Sequence, residues 1–179
     1  MKKILFCLLS MFGIISCHQA QKNTSMTSDA PKNTVEVNFT KVEKTPEEWK
    51  AELSSQEYYV LRQEGTERAF SGDLWDNKEA GTYVCRGCQL PLFSSDTKFK
   101  SGTGWPSFYE PIKEGHIDEK VDNKFGMRRV EVHCARCGGH QGHVFRDGPP
   151  PTGLRYCINS VSLDFVPKMA TAEKQDDEQ

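Results

Sequence analysis

Short stretches along the chain alternate apolar and polar residues, the period-two pattern of half-buried β-strands. The alternation marks four segments: Thr82–Val84, Arg128–His133, Val144–Phe145 and Leu154–Phe165. Loops rich in glycine or proline lie among them, at Ser101–Ser107 and Asp147–Gly153. From about Gly81 onward, this pattern predicts a mainly β core.

Helical signals are confined to the N-terminal side of these strands. Thr45–Glu48 reads Thr-Pro-Glu-Glu, a capping box with proline at the first helical position, and it predicts a short helix through Trp49 and Leu53. Ser54–Glu57 offers a second cap, for a helix that ends near Gly65. The sequence therefore predicts short N-terminal helices followed by a β core.

The first residues have the features of an export signal. Lys2 and Lys3 precede the apolar run Ile4–Ile15, which is too short to span a bilayer. The run ends in Ile-Ser-Cys, which resembles the lipobox of bacterial lipoproteins, with cleavage after Ser16 and a lipid on Cys17. An ordinary cleaved secretory signal, with Cys17 incidental, is the competing interpretation. Both predict an exported protein, and the first predicts one anchored to a cell-envelope membrane by its lipid.

Composition divides the chain into a signal at 1–16, a polar flexible tether at 17–40, one globular domain at 41–168 and a charged, disordered tail at 169–179. The 179 residues suit a single domain, which we expect to be a monomer. The net charge is −2, so no broad cationic field attracts nucleic acid, and no nucleic-acid partner is expected.

Four of the seven cysteines form two C-x-x-C pairs, Cys85/Cys88 and Cys134/Cys137. Two such pairs at the ends of strands predict one structural Zn²⁺ with four thiolate ligands that joins two halves of the sheet. A thioredoxin-like redox pair and a tetrathiolate iron site are the alternatives. His140 and His143 follow closely and could complete a mixed site, although four cysteines already satisfy zinc.

Cys157 has no partner in either pair, and its surroundings favour a nucleophile. An inert, buried core thiol is the alternative, because free cysteine is among the most buried residue types. Arg155 and Asn159 lie two residues away on either side, so on a strand they share the face of Cys157 and bring it a cation and an amide donor. His140 and His143 could transfer protons near neutral pH.

Three long motifs then carry a family resemblance. They read SGTGWPSF from Ser101, GHQGHVF from Gly139, and DGPPPTGLRYCINS from Asp147. Together with both C-x-x-C pairs, they resemble methionine sulfoxide reductase B over about Thr45–Val166. The resemblance implies two antiparallel sheets and reduction of the R epimer of methionine sulfoxide in oxidised proteins.

The resemblance also implies a role for each residue of the motifs. Cys157 would attack the sulfoxide sulfur and become a sulfenic acid. The other implied roles are proton transfer and hydrogen bonding to the sulfoxide oxygen by His143, His140 and Asn159, tuning of the thiolate by Arg155, and substrate contact by Trp105 and Phe108.

Thr103 departs from one branch of that family, in which a resolving cysteine occupies this position. The remaining cysteines of the mature chain are expected to hold metal or, at Cys17, a lipid. We therefore expect no internal disulfide, and reduction of Cys157 by an external thioredoxin-like protein or small thiol.

Two functions of other classes stay open at this level. A non-catalytic zinc-knuckle binding module would leave Cys157 without a chemical role. A general thiol–disulfide oxidoreductase would cycle Cys85 and Cys88 instead of holding metal with them.

Overall fold

The computed structural model describes residues 38–169. The predicted signal, the predicted lipidation site at Cys17, nearly all of the tether and all but the first residue of the tail lie outside this range. Within it, no helix combines the length and the apolar character that a membrane crossing requires.

Two short helices begin the described chain, α1 at Pro46–Glu52 and α2 at Ser55–Gln63. Each has the predicted capping box. The Glu48 amide donates to the Thr45 hydroxyl at 3.2 Å, and the Thr45 amide donates to the Glu48 carboxylate at 2.7 Å. The second box repeats this arrangement from its own serine and glutamate. Both helix starts predicted from the sequence are confirmed.

The eight strands within residues 38–169 form two antiparallel sheets, as the family resemblance implied. Their bounds are β1 Gly81–Cys85, β2 Pro91–Ser94, β3 Ser107–Phe108, β4 Ile117–Asp122, β5 Arg129–Cys134, β6 His140–Phe145, β7 Arg155–Ile158 and β8 Leu163–Pro167. The smaller sheet has the order β2-β1-β8, and the larger has the order β3-β7-β6-β5-β4. The alternating run Leu154–Phe165 therefore divides between the sheets, with a short 3₁₀ turn at Ser160–Ser162 between its two strands.

Aromatic side chains fill the space between the two sheets. Phe108 of the larger sheet stacks on Phe93 of the smaller one, with ring centroids 4.4 Å apart, and meets the edge of Tyr83 at 4.9 Å. All three side chains are fully buried. Offset stacking and edge contacts of this kind add to the free energy that burial contributes.

The pairing of β5 with β6 contains a β-bulge. Val132 pairs with Gly142, but the next residue, His133, pairs with His140. Gln141 is therefore an extra residue in β6. Without the bulge, two histidines three positions apart would point to opposite faces of the sheet. With it, His140 and His143 lie on the same face.

Replacement of Phe108 by alanine should lower the free energy of unfolding by about 3–5 kcal/mol, because the change leaves a cavity between the sheets. Urea titration followed by far-ultraviolet circular dichroism measures the effect. Phe70→Ala is the matched control, since Phe70 is 57% exposed and lies outside the core between the sheets. Equal losses for the two variants would contradict the core position of Phe108.

Candidate active site and metal centre

The four cysteines of the C-x-x-C pairs converge on one point. The Cys85 and Cys137 sulfurs are 3.6 Å apart, and those of Cys88 and Cys134 are 3.5 Å apart. All four sulfurs lie within 4.8 Å of one another, and none of these cysteines forms a disulfide. A tetrahedron with metal–sulfur bonds of about 2.3 Å has edges of about 3.8 Å. The cluster therefore fits a single metal ion, and its four sulfurs leave no ligand position open.

The two pairs come from different sheets, which corrects the expectation that they join two halves of one sheet. Cys85 ends β1 of the smaller sheet, and Cys134 ends β5 of the larger one. Each pair lies in a tight turn closed by a backbone hydrogen bond, from Gln89 to Cys85 at 2.7 Å and from Gly138 to Cys134 at 2.8 Å. Neither turn leads into a helix, unlike the thioredoxin-like arrangement. The thiol cluster thus connects the two sheets at one end of the core.

The bulged residue Gln141 links this cluster to the strand that carries Cys157. Its fully buried side chain donates to the Cys85 sulfur at 3.5 Å and to the Gly139 carbonyl at 3.2 Å. Its backbone carbonyl accepts from the Asn159 backbone amide at 2.8 Å and from the Asn159 side-chain amide at 2.9 Å. A single residue therefore contacts both the thiol cluster and the segment after Cys157.

Cys157 lies on β7, between Ser107 of β3 and His143 of β6. A cavity of about 140 Å³ opens onto it. The lining comprises a thiol, an imidazole, two aromatic rings, a guanidinium and an amide, contributed by Cys157, His143, Trp105, Phe145, Arg129 and Asn159, together with Thr66 and Gly142. The structure therefore brings four of the predicted site residues together: Cys157, His143, Asn159 and Trp105.

His143 is held in one orientation by Asp122. The Nε2 atom of His143 lies 3.0 Å from a carboxylate oxygen of Asp122. The same carboxylate accepts from the Lys124 backbone amide at 2.9 Å and from Arg129 at 2.6 Å. These donors hold the pKa of Asp122 well below its usual range, so it stays ionised at neutral pH.

Burial lowers the pKa of His143, and the hydrogen bond to Asp122 opposes this effect. A neutral imidazole that donates from Nε2 to Asp122 keeps Nδ1 as its proton acceptor. Nδ1 is therefore the atom of His143 that can take up and return a proton.

The Cys157 thiol is subject to opposing effects. Burial raises its pKa, while the Thr103 hydroxyl and the Arg155 guanidinium lower it by favouring the thiolate. The Thr103 oxygen lies 3.9 Å from the Cys157 sulfur. Arg155 is fixed by two hydrogen bonds of 2.9 Å to Asp147, and its guanidinium lies 4.4 Å from the centre of the Phe145 ring. The predicted neighbour Arg155 is thus a fixed cation beside the thiol.

Thr103 belongs to a chain of three hydroxyl groups. Its hydroxyl lies 2.8 Å from that of Ser101, and the Ser107 hydroxyl lies 2.8 Å from the same Ser101 oxygen. Ser107 also reaches the Trp105 carbonyl at 3.2 Å. The loop that carries Trp105 is therefore tied to the hydroxyl group that faces Cys157.

Glu67 is a supporting residue that sequence reasoning missed. Its buried carboxylate accepts from the backbone amides of Ser160 at 2.6 Å and Val161 at 2.9 Å. Its backbone amide donates to the Asn159 side-chain oxygen at 3.0 Å, and its carbonyl accepts from the Trp105 indole at 3.3 Å. Glu67 lies outside every motif, so no sequence signal marks it. It holds the Asn159 and Trp105 side chains on two sides of the cavity.

Asn159 is more constrained than the sequence suggested. Both ends of its side chain are engaged, the oxygen by Glu67 and the nitrogen by Gln141. An amide nitrogen carries two hydrogens, so one donor remains for a ligand in the cavity.

Two predicted site residues lie elsewhere. Phe108 follows Ser107 on a strand and so points to the opposite face from it, into the core, where it is fully buried; the expected substrate contact is a wrong prediction for this reason. His140 is 1% exposed and does not line the cavity. Because it is outside the cavity, His140 cannot touch a ligand beside Cys157 directly. Burial also lowers its pKa to about 4, so His140 is neutral at pH 7.

A second cavity of about 520 Å³ lies next to the first and shares Trp105 with it. Its lining mixes aromatic and charged side chains, among them Phe70, Trp75, Lys98 and Lys100. Trp105 therefore faces two spaces, and only the smaller of them contains the thiol.

Comparison with known proteins agrees with this geometry. Residues 53–167 match the SelR domain family. The peptide methionine sulfoxide reductase MsrB of Leptospira interrogans is 60% identical over 124 residues, which are 69% of this chain and 95% of that protein. The MsrB of Methanosarcina mazei is 57% identical over 136 residues, covering 76% of this chain and 97% of that protein. The MsrB of Thiobacillus denitrificans is 58% identical over 125 residues, covering 70% of this chain and 95% of that protein. This chain belongs to the MsrB family of methionine sulfoxide reductases.

Proposed function

We propose that this protein reduces the R-sulfoxide of protein-bound methionine through a sulfenic acid on Cys157. The observation that carries the proposal is the small cavity in which a thiol, an orientated imidazole and an indole ring meet. Membership of the MsrB family supports an oxidoreductase that acts on oxidised proteins. The larger neighbouring cavity offers room for residues that flank the oxidised methionine.

The reaction would begin with transfer of the Cys157 proton to Nδ1 of His143. The thiolate then attacks the sulfoxide sulfur, and the imidazolium returns the proton to the sulfoxide oxygen. The sulfur–oxygen bond of the substrate breaks as oxygen is transferred to Cys157. The methionine sulfur gains two electrons and Cys157 loses two, which leaves methionine and a cysteine sulfenic acid. The free Asn159 N–H can stabilise negative charge on the oxygen as it develops.

Trp105 and Phe145 would provide the apolar surface for the substrate methyl group. Both rings line the cavity that contains the Cys157 thiol. An aromatic wall binds a methyl group through dispersion and burial and offers the sulfoxide oxygen no partner. The oxygen is thereby directed toward the polar residues His143 and Asn159.

An external thiol would restore the enzyme. Thr103 occupies the loop position beside the Cys157 sulfur, and the remaining described cysteines all belong to the thiol cluster. A thiolate from a thioredoxin-like protein or small thiol would attack the sulfenic sulfur, release water and form a mixed disulfide. A second thiol of the reductant would then release Cys157.

We assign Zn²⁺ to the four-thiol cluster. Tetrahedral sites with four sulfur ligands in proteins typically hold zinc or iron, and a closed structural site does not require a metal that changes its oxidation state. When bound, this ion has a structural function and supplies no reaction chemistry. Its binding free energy would stabilise the connection between the sheets.

We also propose that the protein is exported and anchored to an envelope membrane by a lipid on Cys17, with residues 17–40 as the tether of a monomeric enzyme. Support comes from the basic, apolar and small-residue pattern before Cys17. One acylated cysteine with several chains would hold the domain stably at the membrane.

Replacement of Cys157 by serine should abolish reduction of methionine R-sulfoxide in a peptide, because a serine hydroxyl is not ionised near neutral pH and its oxygen cannot be oxidised as the cysteine sulfur is. Wild-type protein treated with substrate and no reductant should be labelled at Cys157 by a sulfenic-acid probe. Both proteins should retain one zinc per chain by elemental analysis. Activity that persists in Cys157→Ser would exclude the proposed mechanism and favour another redox centre, whereas an internal disulfide in the wild type would contradict the external-thiol step.

Thr103→Val should raise the pKa of the Cys157 thiol, because it removes a hydroxyl group that favours the thiolate. The pH dependence of iodoacetamide alkylation measures this pKa. The alkylation midpoint should move to higher pH, and kcat/KM at pH 7 should fall by about two- to tenfold, the range for one hydrogen bond. Thr103→Ser keeps the hydroxyl and should behave as the wild type. An unchanged midpoint in the valine variant would show that the contact has no electrostatic role.

Cys17→Ser should release the protein from the membrane fraction of cells that express the full chain, since no other lipid attachment is proposed. Fractionation and intact-mass measurement together check this outcome, with Cys7→Ser as the control in the segment predicted to be removed. A wild type without added lipid mass that appears in the soluble fraction would support the ordinary cleaved signal instead, and a Cys17→Ser protein that stays in the membrane fraction would contradict a lipid on Cys17 as the anchor.

A further inference from the structure

Glu131 is a buried carboxylate without a basic partner. It is 3% exposed, and no lysine or arginine of the described residues forms an ion pair with it. Among residues 38–169, the imidazoles of His133 and His140 are the basic groups that lie within 4.0 Å of its carboxylate. A buried carboxylate without a cationic partner is costly, so it calls for a compensating positive charge.

The register of β5 and β6 brings the three residues together. Glu131 and His133 are two positions apart on β5 and so share a face, and His133 pairs across the strands with His140. Nε2 of His133 lies 3.2 Å from one Glu131 oxygen, and Nδ1 of His140 lies 2.6 Å from the other. One ligand atom of each residue lies within 4.8 Å of the other two.

Several nitrogens of this cluster lack hydrogen bonds. Nε2 of His133 and both ring nitrogens of His140 are buried with no hydrogen-bond partner among the described residues. Nδ1 of His140 therefore lies close to the Glu131 carboxylate, but the angle between them does not suit a hydrogen bond. Buried polar atoms are rarely left without a partner, and a bound ion is one of the ways in which they are satisfied.

His133 has the arrangement of a metal-binding histidine. Its Nδ1 lies 3.2 Å from the Gly138 carbonyl. A hydrogen on Nδ1 donated to that carbonyl leaves Nε2 unprotonated, with its lone pair on the Glu131 side. Its side chain is 15% exposed, which leaves a route from solvent to a cluster whose other two members are buried.

We propose that Glu131, His133 and His140 form a second metal site, separate from the four-thiol cluster, for a borderline divalent transition ion. Two imidazole nitrogens and one carboxylate oxygen suit Zn²⁺ and its neighbours in the first transition row, whereas Mg²⁺ and Ca²⁺ prefer oxygen ligands. The positive ion compensates Glu131 and uses nitrogens that are otherwise unpaired. Three protein ligands leave a further position for water or another ligand. The ring centroids of His140 and His143 are 5.6 Å apart, so this ion lies next to the catalytic cavity.

Isothermal titration with Zn²⁺ tests the proposal on the full-length protein that already carries one zinc. Cys157→Ser is present in every sample, so that the reactive thiol cannot bind the ion. We expect uptake of one additional equivalent with a Kd of about 10 μM or tighter, equivalent to about 7 kcal/mol. His133→Ala and Glu131→Gln should each weaken this uptake by at least about tenfold, the lower range for disruption of a metal site. His116→Ala is the matched control, because His116 contacts the Pro91 carbonyl and lies outside the cluster.

Nitrogen-15 spectra of the histidine rings provide a second measurement that does not depend on variants. Addition of Zn²⁺ should shift the ring resonances of His133 and His140 and leave those of His116 unchanged. No uptake beyond the first zinc at 100 μM Zn²⁺ (about tenfold above the expected Kd) would overturn the proposal. Uptake that His133→Ala and Glu131→Gln do not weaken would also overturn it, since the ion would then bind elsewhere.

Discussion

The extra residue in β6 is the constraint on which the arrangement of both centres depends. Gln141 changes the strand's alternation, so that His140 and His143 share a face with Cys157 and Glu131. Gly142 makes this possible, because a side-chain carbon there would lie 2.0 Å from the Cys157 carbonyl oxygen. Only glycine lets β6 approach β7 so closely. The bulge also directs the Gln141 side chain to the opposite face, where it reaches the Cys85 sulfur. One local irregularity thus sets the polar face and joins it to the thiol cluster.

The pKa of the Cys157 thiol depends on how the effect of burial is balanced by a few fixed groups. A buried thiol holds its proton more tightly, and the neighbouring hydroxyl and guanidinium oppose that tendency without exposing the sulfur to water. Arg155 cannot turn away easily, since Asp147 binds it through two hydrogen bonds. Asp122 does the same for the imidazole of His143 and selects its tautomer. Asp147 and Asp122 therefore organise the site from outside, because each restrains a residue that lies next to the thiol or the cavity.

Features that depend on local residue spacing can be predicted from the sequence. Those that depend on which face of a strand is buried, or on contacts between distant segments, cannot. The C-x-x-C spacing and the two capping boxes are local, and the structure confirms the clustered cysteines and both helices. Phe108 was misassigned because a single step along a strand reverses the face, and the motif alone does not show which face is buried. His140 and His143 have equivalent places in the motif, yet only His143 lines the cavity. Asp122 and Glu67 contribute from distant segments with no motif of their own, so only the tertiary structure identifies them.

Two long loops of the chain, one nested inside the other, are closed by contacts near Cys157. Glu67 and Ser160 are 93 positions apart, and the Cys85–Cys137 contact, which spans 52 positions, lies inside that interval. A metal ion that binds the cysteines before Glu67 reaches its partners would take those 52 residues out of the outer loop. Loop-closure entropy grows with the logarithm of loop length, so closing the shortened outer loop would cost about 0.7 kcal/mol less than closing the full one. An ion in the thiol cluster would therefore lower the entropic cost of assembling the cavity that contains Cys157, although the ion would lie outside that cavity.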